Sequence, residues 1–234
     1  RRLKYIGPKD LGNLATDNFC ERCFWFERHF GPFPARFPGI FNVLDGVSKK
    51  SVYRSLVNRK KLPDWLKLQD VERRVSLEEI GQMETWQNRK FLVVSHPKSG
   101  WILRGGPDAV FQLKDRTLHI VDFKTARFSP KQDELYPMYE IQLNGYALLV
   151  QKFPISKLSL VYCEPATELR DDKDFILPFS TKVVDVDLKP KIIPGLLMRA
   201  REIVSQKTPP LGKEGCRGTC FYADKIISEV GKGR

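Results

Sequence analysis

The chain has 234 residues, of which 41% are hydrophobic and 29% charged, as in ordinary globular proteins. Forty Lys and Arg against 28 Asp and Glu give a formal net charge of +12. This charge favours a polyanionic partner, nucleic acid before membrane, although a basic surface kept for solubility is the alternative interpretation. No apolar run approaches a bilayer span, and the first residues lack the apolar core of a secretory signal. We therefore expect a cytoplasmic protein without membrane segments.

The N-terminal part of the chain predicts two helices. The first is expected over residues 16–30, with Thr16 or Asp17 as its N-cap and Gly31 at its end. The second is expected over residues 40–60, and its later half is strongly basic.

From about residue 90 the pattern changes to short apolar strands separated by turn residues. Strands are expected at residues 90–95, 100–105, 109–113, 118–124, 157–164 and 182–188. Helices are expected at residues 137–151 and 191–206, the second with apolar residues at helical spacing. This order of elements predicts an α/β fold with a central mixed β-sheet flanked by helices.

Two aspartates and a lysine lie at one end of a predicted hairpin in this region. Asp122 and Lys124 project from the same face of their strand, and Asp108 begins the preceding strand. If the two strands pair, Asp108 lies beside Asp122, and two neighbouring carboxylates repel each other unless a cation binds them. Carboxylate ligands suit Mg²⁺ or Mn²⁺, and a nearby lysine can orient water or offset charge on a phosphate. The group is typical of phosphodiester hydrolysis.

The same residues resemble the PD-(D/E)XK nuclease superfamily. The sequence GGPD ends in Asp108, and the sequence DFK, after thirteen intervening residues, contains Asp122 and Lys124. In the helix that follows, Gln142 and Tyr146 are four residues apart and share one face. This Gln-x-x-x-Tyr is similar to the RecB-like branch, in which it faces the active site and DNA.

The resemblance implies a restriction-endonuclease-like core and a Mg²⁺- or Mn²⁺-dependent deoxyribonuclease. The residues implied to be catalytic are Asp108, Asp122, Lys124, Gln142 and Tyr146. The implied metal ligands are the two aspartates and the main-chain carbonyl of Phe123. Relatives usually add a His or Glu from an upstream helix; here Asp45 is the best-placed residue, with Glu84 and His29 behind it.

A single nuclease domain is expected over residues 1–234. It would comprise a helical, cysteine-bearing and basic segment at 1–62, a catalytic core at 90–165, and a C-terminal helix with a cysteine pair at 191–234.

Each proposed site residue also has an ordinary structural interpretation. Asp108 could cap a turn. Asp122 and Lys124 could form an ion pair on an edge strand, where it contributes little. Gln142 and Tyr146 could lie on the surface of an amphipathic helix. We favour the nuclease interpretation because the sequences GGPD, DFK and Gln-x-x-x-Tyr occur together in the order expected of the family.

Four of the five cysteines form two close pairs at opposite ends of the chain, Cys20 with Cys23 and Cys216 with Cys220. Cys163 lies in an apolar run and is expected to be a buried strand residue. Short spacings in a cytosolic chain favour metal over disulfides. A centre formed by all four would join the N- and C-terminal helical segments. The resemblance to AddB-type and CRISPR-associated exonucleases implies a [4Fe-4S] cluster; structural Zn²⁺ is the alternative, and two disulfides are a third interpretation.

Basic residues near the proposed site are expected to contact the DNA backbone without reading sequence. They are Lys49, Lys50 and Arg54 on the second helix, with Arg104 and Arg127 flanking the hairpin. For the helix, a solvated basic face is an equally weighted alternative.

The leading hypothesis is exonuclease-like hydrolysis of single-stranded DNA or DNA ends, without sequence specificity. The relatives imply roles in DNA repair or CRISPR systems, as a homo-oligomer or with a helicase or CRISPR partner. The alternative hypothesis is a catalytically inactive nucleic-acid-binding or redox-sensing iron–sulfur module of the same fold.

Overall fold

The computed structural model describes residues 5–32, 38–86, 89–126, 135–150, 152–167 and 176–232. The helices are α1 Pro8–Asn13, α2 Glu21–Phe30, α3 Gly39–Arg59, α4 Leu77–Ile80, α5 Tyr136–Leu149, α6 Ile193–Ser205 and α7 Thr219–Lys232. The strands are β1 Tyr5–Ile6, β2 Val71–Val75, β3 Met83–Trp86, β4 Arg89–His96, β5 Trp101–Gly105, β6 Ala109–Leu113, β7 Leu118–Thr125, β8 Ile155–Pro165 and β9 Phe179–Val186. Among these residues, no helix combines the length with the apolar composition that a bilayer span requires.

The strands form two mixed sheets, with strand orders β1-β5-β4-β3 and β2-β6-β7-β8-β9. Helices flank them, so the predicted fold class is confirmed, with two sheets in place of one. In the larger sheet β6 and β7 are antiparallel, whereas β7 and β8 are parallel. A parallel pair needs a crossover, and α5 lies in the connection between these strands. As a result, α5 lies against the strand that carries Asp122.

Strand β7 separates two hydrophobic cores. Leu118 and Ile120 belong to the larger core, which includes residues of α5 and α6. Val121 and Phe123 belong to the smaller core, which includes Val52 of α3. Because side chains alternate along a strand, the even-numbered residues of β7 are directed toward α5 and the odd-numbered ones toward α3.

Helix α5 is held in place by an unusually close approach of α1. A Cβ atom at Gly12 would lie 2.4 Å from the main-chain oxygen of Met138, and one at Gly145 would lie 2.7 Å from Pro8 Cβ. These two glycines therefore allow α1 to pack directly on α5.

Each element predicted between residues 40 and 206 is present within a few residues of its expected bounds. Elements β2, α4, β3 and α7 were not predicted, and the N-terminal helix differs from its prediction. It begins at Glu21 with Cys20 as its N-cap, so the predicted N-cap at Thr16 or Asp17 is wrong. The reason is the separate helix α1: Thr16 donates a hydrogen bond back to the Asn13 carbonyl. The end of α2 at Gly31, whose φ is 96°, agrees with the prediction.

Candidate active site

Asp108 and Asp122 lie side by side at one end of the β6–β7 hairpin. Ala109 pairs with Val121 across the ladder, and this register brings Asp108 opposite Asp122. Asp108 Oδ2 accepts a 2.8 Å hydrogen bond from the main-chain N–H of Phe123. The hairpin therefore brings the two predicted carboxylates together.

Asp122 is deeply buried, with 3% of its surface exposed. Burial raises the pKa of Asp122 to about 6, against the neighbouring Lys124 ammonium, which lowers it. Asp122 Oδ2 lies 2.6 Å from Lys124 Nζ as an ion pair, yet it accepts no hydrogen bond of regular geometry within the described part of the chain. A buried carboxylate oxygen in this state suits a cation.

Lys124 is held at Asp122 by two further contacts. Its Nζ donates a 2.9 Å hydrogen bond to Gln142 Oε1. The same atom lies 4.2 Å from the centre of the Tyr139 ring, in a cation–π contact. The ammonium is therefore fixed by a carboxylate, an amide and an aromatic face.

Helix α5 contributes three polar side chains beside the Asp122–Lys124 pair, namely Tyr139, Gln142 and Tyr146, spaced three and four residues apart. Gln142 Nε2 donates to Tyr146 Oη at 2.9 Å and, over a longer 3.4 Å, to Asp122 Oδ1. Burial and the Asp122 charge raise the pKa of Tyr146, so its hydroxyl is protonated at neutral pH. Tyr139 was not predicted, although its spacing from Gln142 was a usable signal.

The upstream helix α3 reaches the site through Asp45 and Lys49. Lys49 Nζ lies 2.6 Å from Asp108 Oδ1 and 2.8 Å from Asp45 Oδ2. Burial lowers the pKa of Lys49, but the two carboxylates outweigh this effect and the net pKa is raised. Asp45 is thus linked to Asp108 through the Lys49 ammonium, and its role as a metal ligand stays a prediction. Lys49 itself was expected to contact DNA.

The other two upstream residues, His29 and Glu84, have partners in a different part of the fold. The His29 ring stacks on Trp25 with centroids 3.8 Å apart, and its Nδ1 lies 2.9 Å from the Trp25 carbonyl oxygen. Glu84 lies in β3 and interacts with the Tyr5 hydroxyl. The structure therefore places Asp45, and neither of these residues, beside the hairpin.

A cleft of about 300 Å³ opens between the N-terminal half of α3 and the end of β7. Its lining includes Phe41, Asn42, Asp45, Lys124 and Tyr139. The cleft connects the partly buried Lys124 ammonium with the exterior, as a phosphate and a water molecule would require.

The donor set fits a divalent cation, because carboxylate oxygens are the ligands that Mg²⁺ and Mn²⁺ prefer. Asp108 and Asp122 would hold it, with Asp45 in reach on α3. A ligand role for the Phe123 carbonyl stays a prediction. When bound, such a cation lowers the pKa of a coordinated water and offsets charge on a phosphate.

The basic residues predicted at DNA differ in their surroundings. Lys50 and Arg54 are exposed and line a groove of about 400 Å³ along α3. The Arg104 guanidinium lies 4.5 Å from the centre of the Tyr5 ring. Arg127 lies outside the described residues.

The four terminal cysteines converge into one cluster. Cys20 and Cys23 lie at the start of α2, and Cys216 and Cys220 lie just before and inside α7. Their sulfur atoms all lie within 4.8 Å of one another, and the shortest separations are 3.2, 3.4 and 3.5 Å. All four are free thiols, as is the buried Cys163 in β8, so the disulfide interpretation is not supported. Four cysteines are a donor set of structural zinc and of iron–sulfur centres.

The main chain supports negative charge on this cluster. The N–H groups of Lys213 and Cys220 donate to Cys20 Sγ and Cys23 Sγ at 3.4 and 3.3 Å. Burial opposes ionisation, but main-chain donors overcome it at Cys20, whose pKa falls to about 7. At Cys23 burial prevails and raises the pKa to about 11. Cys20 and Cys23 therefore need a cation in order to ionise together.

The spacing of the sulfur atoms is compact. Metal–sulfur bonds of about 2.3 Å around one tetrahedral ion place the sulfurs about 3.8 Å apart, which is close to the observed separations. A [4Fe-4S] cluster attaches each thiolate to a different iron and so requires wider spacing.

A comparison with protein families agrees with this fold. The model of the PD-(D/E)XK nuclease superfamily matches residues 40–224. No curated protein matches the chain. The crystal structure of a protein called SSO0001 shares 14% identity, with a TM-score of 0.42, over 89% of this chain and 80% of that one; so distant a likeness supports no functional argument. The superfamily match spans most of the chain and includes the hairpin with Asp108, Asp122 and Lys124. The chain therefore belongs to the PD-(D/E)XK nuclease superfamily.

Proposed function

We propose that this chain is a divalent-metal-dependent nuclease that hydrolyses DNA at the site formed by Asp108, Asp122 and Lys124, within one domain over residues 1–234. The observation that carries this proposal is the convergence of two carboxylates and a partly buried, fixed ammonium beside a cleft that opens to solvent. Superfamily membership implies the metal-dependent hydrolysis of phosphodiesters.

Each side chain has a role that follows from its contacts. Asp108 and Asp122 would bind the cation. Lys124, beside Asp122 Oδ2, orients the attacking water and offsets the charge that develops on the phosphate as the phosphorus–oxygen ester bond breaks. Gln142 fixes Lys124 through its Oε1 and is itself fixed by Tyr146. Gln142 and Tyr146 are therefore proposed as positioning residues.

The proposed substrate is DNA bound through its backbone. The net charge of +12 and the exposed Lys50 and Arg54 support a polyanion. The finer proposal, exonuclease-like action on single strands or ends, rests on the resemblance to the RecB-like branch. A cytoplasmic location, self-assembly and a helicase or CRISPR partner stay predictions. An inactive binding module is the less favoured alternative, because such a protein has no need of the Asp122–Lys124–Gln142 network.

We also propose that the four cysteines hold a structural metal centre that joins α2 to α7. The family resemblance supports [4Fe-4S], and the compact sulfur spacing supports a single Zn²⁺. Metal and sulfide analysis of anaerobically purified protein separates the two: matching amounts of iron and sulfide indicate the cluster, and one zinc per chain indicates the single ion.

The test of the nuclease compares wild type with Lys124→Met on end-labelled single- and double-stranded DNA, with Mg²⁺ or Mn²⁺. The variant should lose about 10²- to 10⁴-fold in cleavage rate, as expected for a lost proton-transfer or charge-stabilising group. The matched control is Lys114→Met at an exposed turn, which should cleave like wild type. DNA binding without cleavage in every metal would contradict the proposal. Equal cleavage by wild type and Lys124→Met would place the site elsewhere.

A further inference from the structure

Lys49 occupies the space between two acidic side chains of the proposed metal site. Its ammonium contacts Asp108 Oδ1 at 2.6 Å and Asp45 Oδ2 at 2.8 Å. The other oxygen of Asp108 accepts the Phe123 N–H. Both carboxylate oxygens of Asp108 therefore have partners in this conformation. The partner of Oδ1 is the positively charged Lys49 ammonium.

The two lysines of the site are held differently. Lys124 contacts a carboxylate, an amide and an aromatic ring, and its side chain is 14% exposed. The described partners of Lys49 are the two carboxylates, and its side chain is 35% exposed. Because its stem is flexible and reaches solvent, Lys49 can leave the carboxylates without a movement of α3.

A divalent cation on Asp108 would lie within a few ångströms of the Lys49 ammonium. Two positive charges at that distance repel strongly in a partly buried site. Lys124 is retained beside Asp122 by Gln142 and the Tyr139 ring, whereas the described partners of Lys49 are the carboxylates alone. A cation on Asp108 therefore competes with the Lys49 ion pair.

We propose that Lys49 is a positioning residue that holds Asp45 and Asp108 together in the metal-free enzyme and is displaced when the divalent cation binds. The released ammonium then joins Lys50 and Arg54 on the basic face of α3, where it can pair with a phosphate of the bound strand. This inference rests on the proposed metal site and adds a residue that the GGPD and DFK sequences do not contain.

The experiment is a Mn²⁺ titration without DNA, followed by the magnetic resonance signal of free Mn²⁺, on wild type, Lys49→Met and Lys50→Met. Lys49→Met should bind Mn²⁺ about tenfold more tightly, equivalent to about 1.4 kcal/mol, because the competing cation is gone. Lys50→Met, one residue away and exposed, should bind like wild type. If Lys49→Met proves too unstable to titrate, Lys49→Arg keeps the charge with a bulkier head group and should not exceed wild-type affinity.

A parallel titration of Asp122→Asn distinguishes failure of this inference from failure of the metal site. If Asp122→Asn loses Mn²⁺ binding while Lys49→Met binds as wild type or more weakly, Lys49 does not compete with the metal and the inference is wrong. If Asp122→Asn binds Mn²⁺ as well as wild type does, the proposed metal site itself is wrong and this inference falls with it.

Discussion

The two clusters of reactive side chains in this protein are assembled in opposite ways. Asp108 and Asp122 come from neighbouring strands of one hairpin, and α5 follows directly in the chain. Cys20 and Cys220 are 200 residues apart, and their sulfurs meet only when both ends of the chain have folded. Long-range closure loses more chain entropy than a hairpin does, and metal binding can offset it. We therefore expect the cysteine centre to determine stability and the hairpin to determine chemistry.

The largest expected effect tests whether the cysteine centre determines the stability of the protein. Cys220→Ser should lower the free energy of unfolding by more than about 4 kcal/mol, because loss of one ligand would release the proposed metal between α2 and α7. Urea unfolding under anaerobic conditions measures it. Cys163→Ala, at a buried cysteine outside the centre, should cost about 1 kcal/mol. If Cys220→Ser were as stable as this control, the centre would not be structural.

The comparison also explains what the sequence could predict. Side-chain alternation in β7 and the order GGPD, DFK, Gln-x-x-x-Tyr were local signals, and the structure brings those residues together. The orientation of Lys49 could not be derived, because its i,i+4 spacing from Asp45 shows that they share a face but not what that face contacts. Helices α1 and α4 and strands β1 to β3 were missed, since two to six residues are too few to show a period.

A second prediction concerns His119, which lies on β7 but contacts neither cluster. Its Nε2 bonds Ser159 Oγ at 2.8 Å, and Ser159 bonds Asp185. Burial, and to a lesser extent Lys157, lower the pKa of His119 from 6.5 to about 4, while Asp185 raises it. Because the unfolded state binds the proton more readily, stability should fall as pH drops from 6.5 to 4, by about 3 kcal/mol in all.

Urea unfolding across this pH range, on wild type and His119→Gln, measures the effect. The variant cannot titrate, so its stability should fall less over the same range. Parallel pH profiles of the two proteins would show that His119 is not the group responsible.

A third prediction tests how α1 supports the chemistry of α5. Gly145→Ala would place a Cβ 2.7 Å from Pro8 and should destabilise the protein by about 1–3 kcal/mol through overpacking. It should also slow cleavage, because Gln142 and Tyr146 lie on the displaced helix.

The control is Gly46→Ala in α3. Within the described part of the chain, no neighbouring atom lies within 4 Å of the Cβ that this substitution adds. Higher helix propensity should stabilise that variant by up to about 1 kcal/mol. Equal stability of the two variants would mean that α1 does not constrain α5.

The smallest expected effect concerns Lys50 and Arg54, the exposed neighbours of Lys49 on α3. Each phosphate contact releases counterions when DNA binds. Lys50→Ala and Arg54→Ala should therefore each reduce the slope of log binding constant against log salt concentration by about one. Stability should change by less than about 0.5 kcal/mol, since both side chains are exposed. Binding titrations at several salt concentrations measure the slopes, with Lys114→Ala as the control. Unchanged slopes would mean that this face of α3 is merely solvated, and that the path of DNA to Lys124 does not follow the helix that carries Lys49.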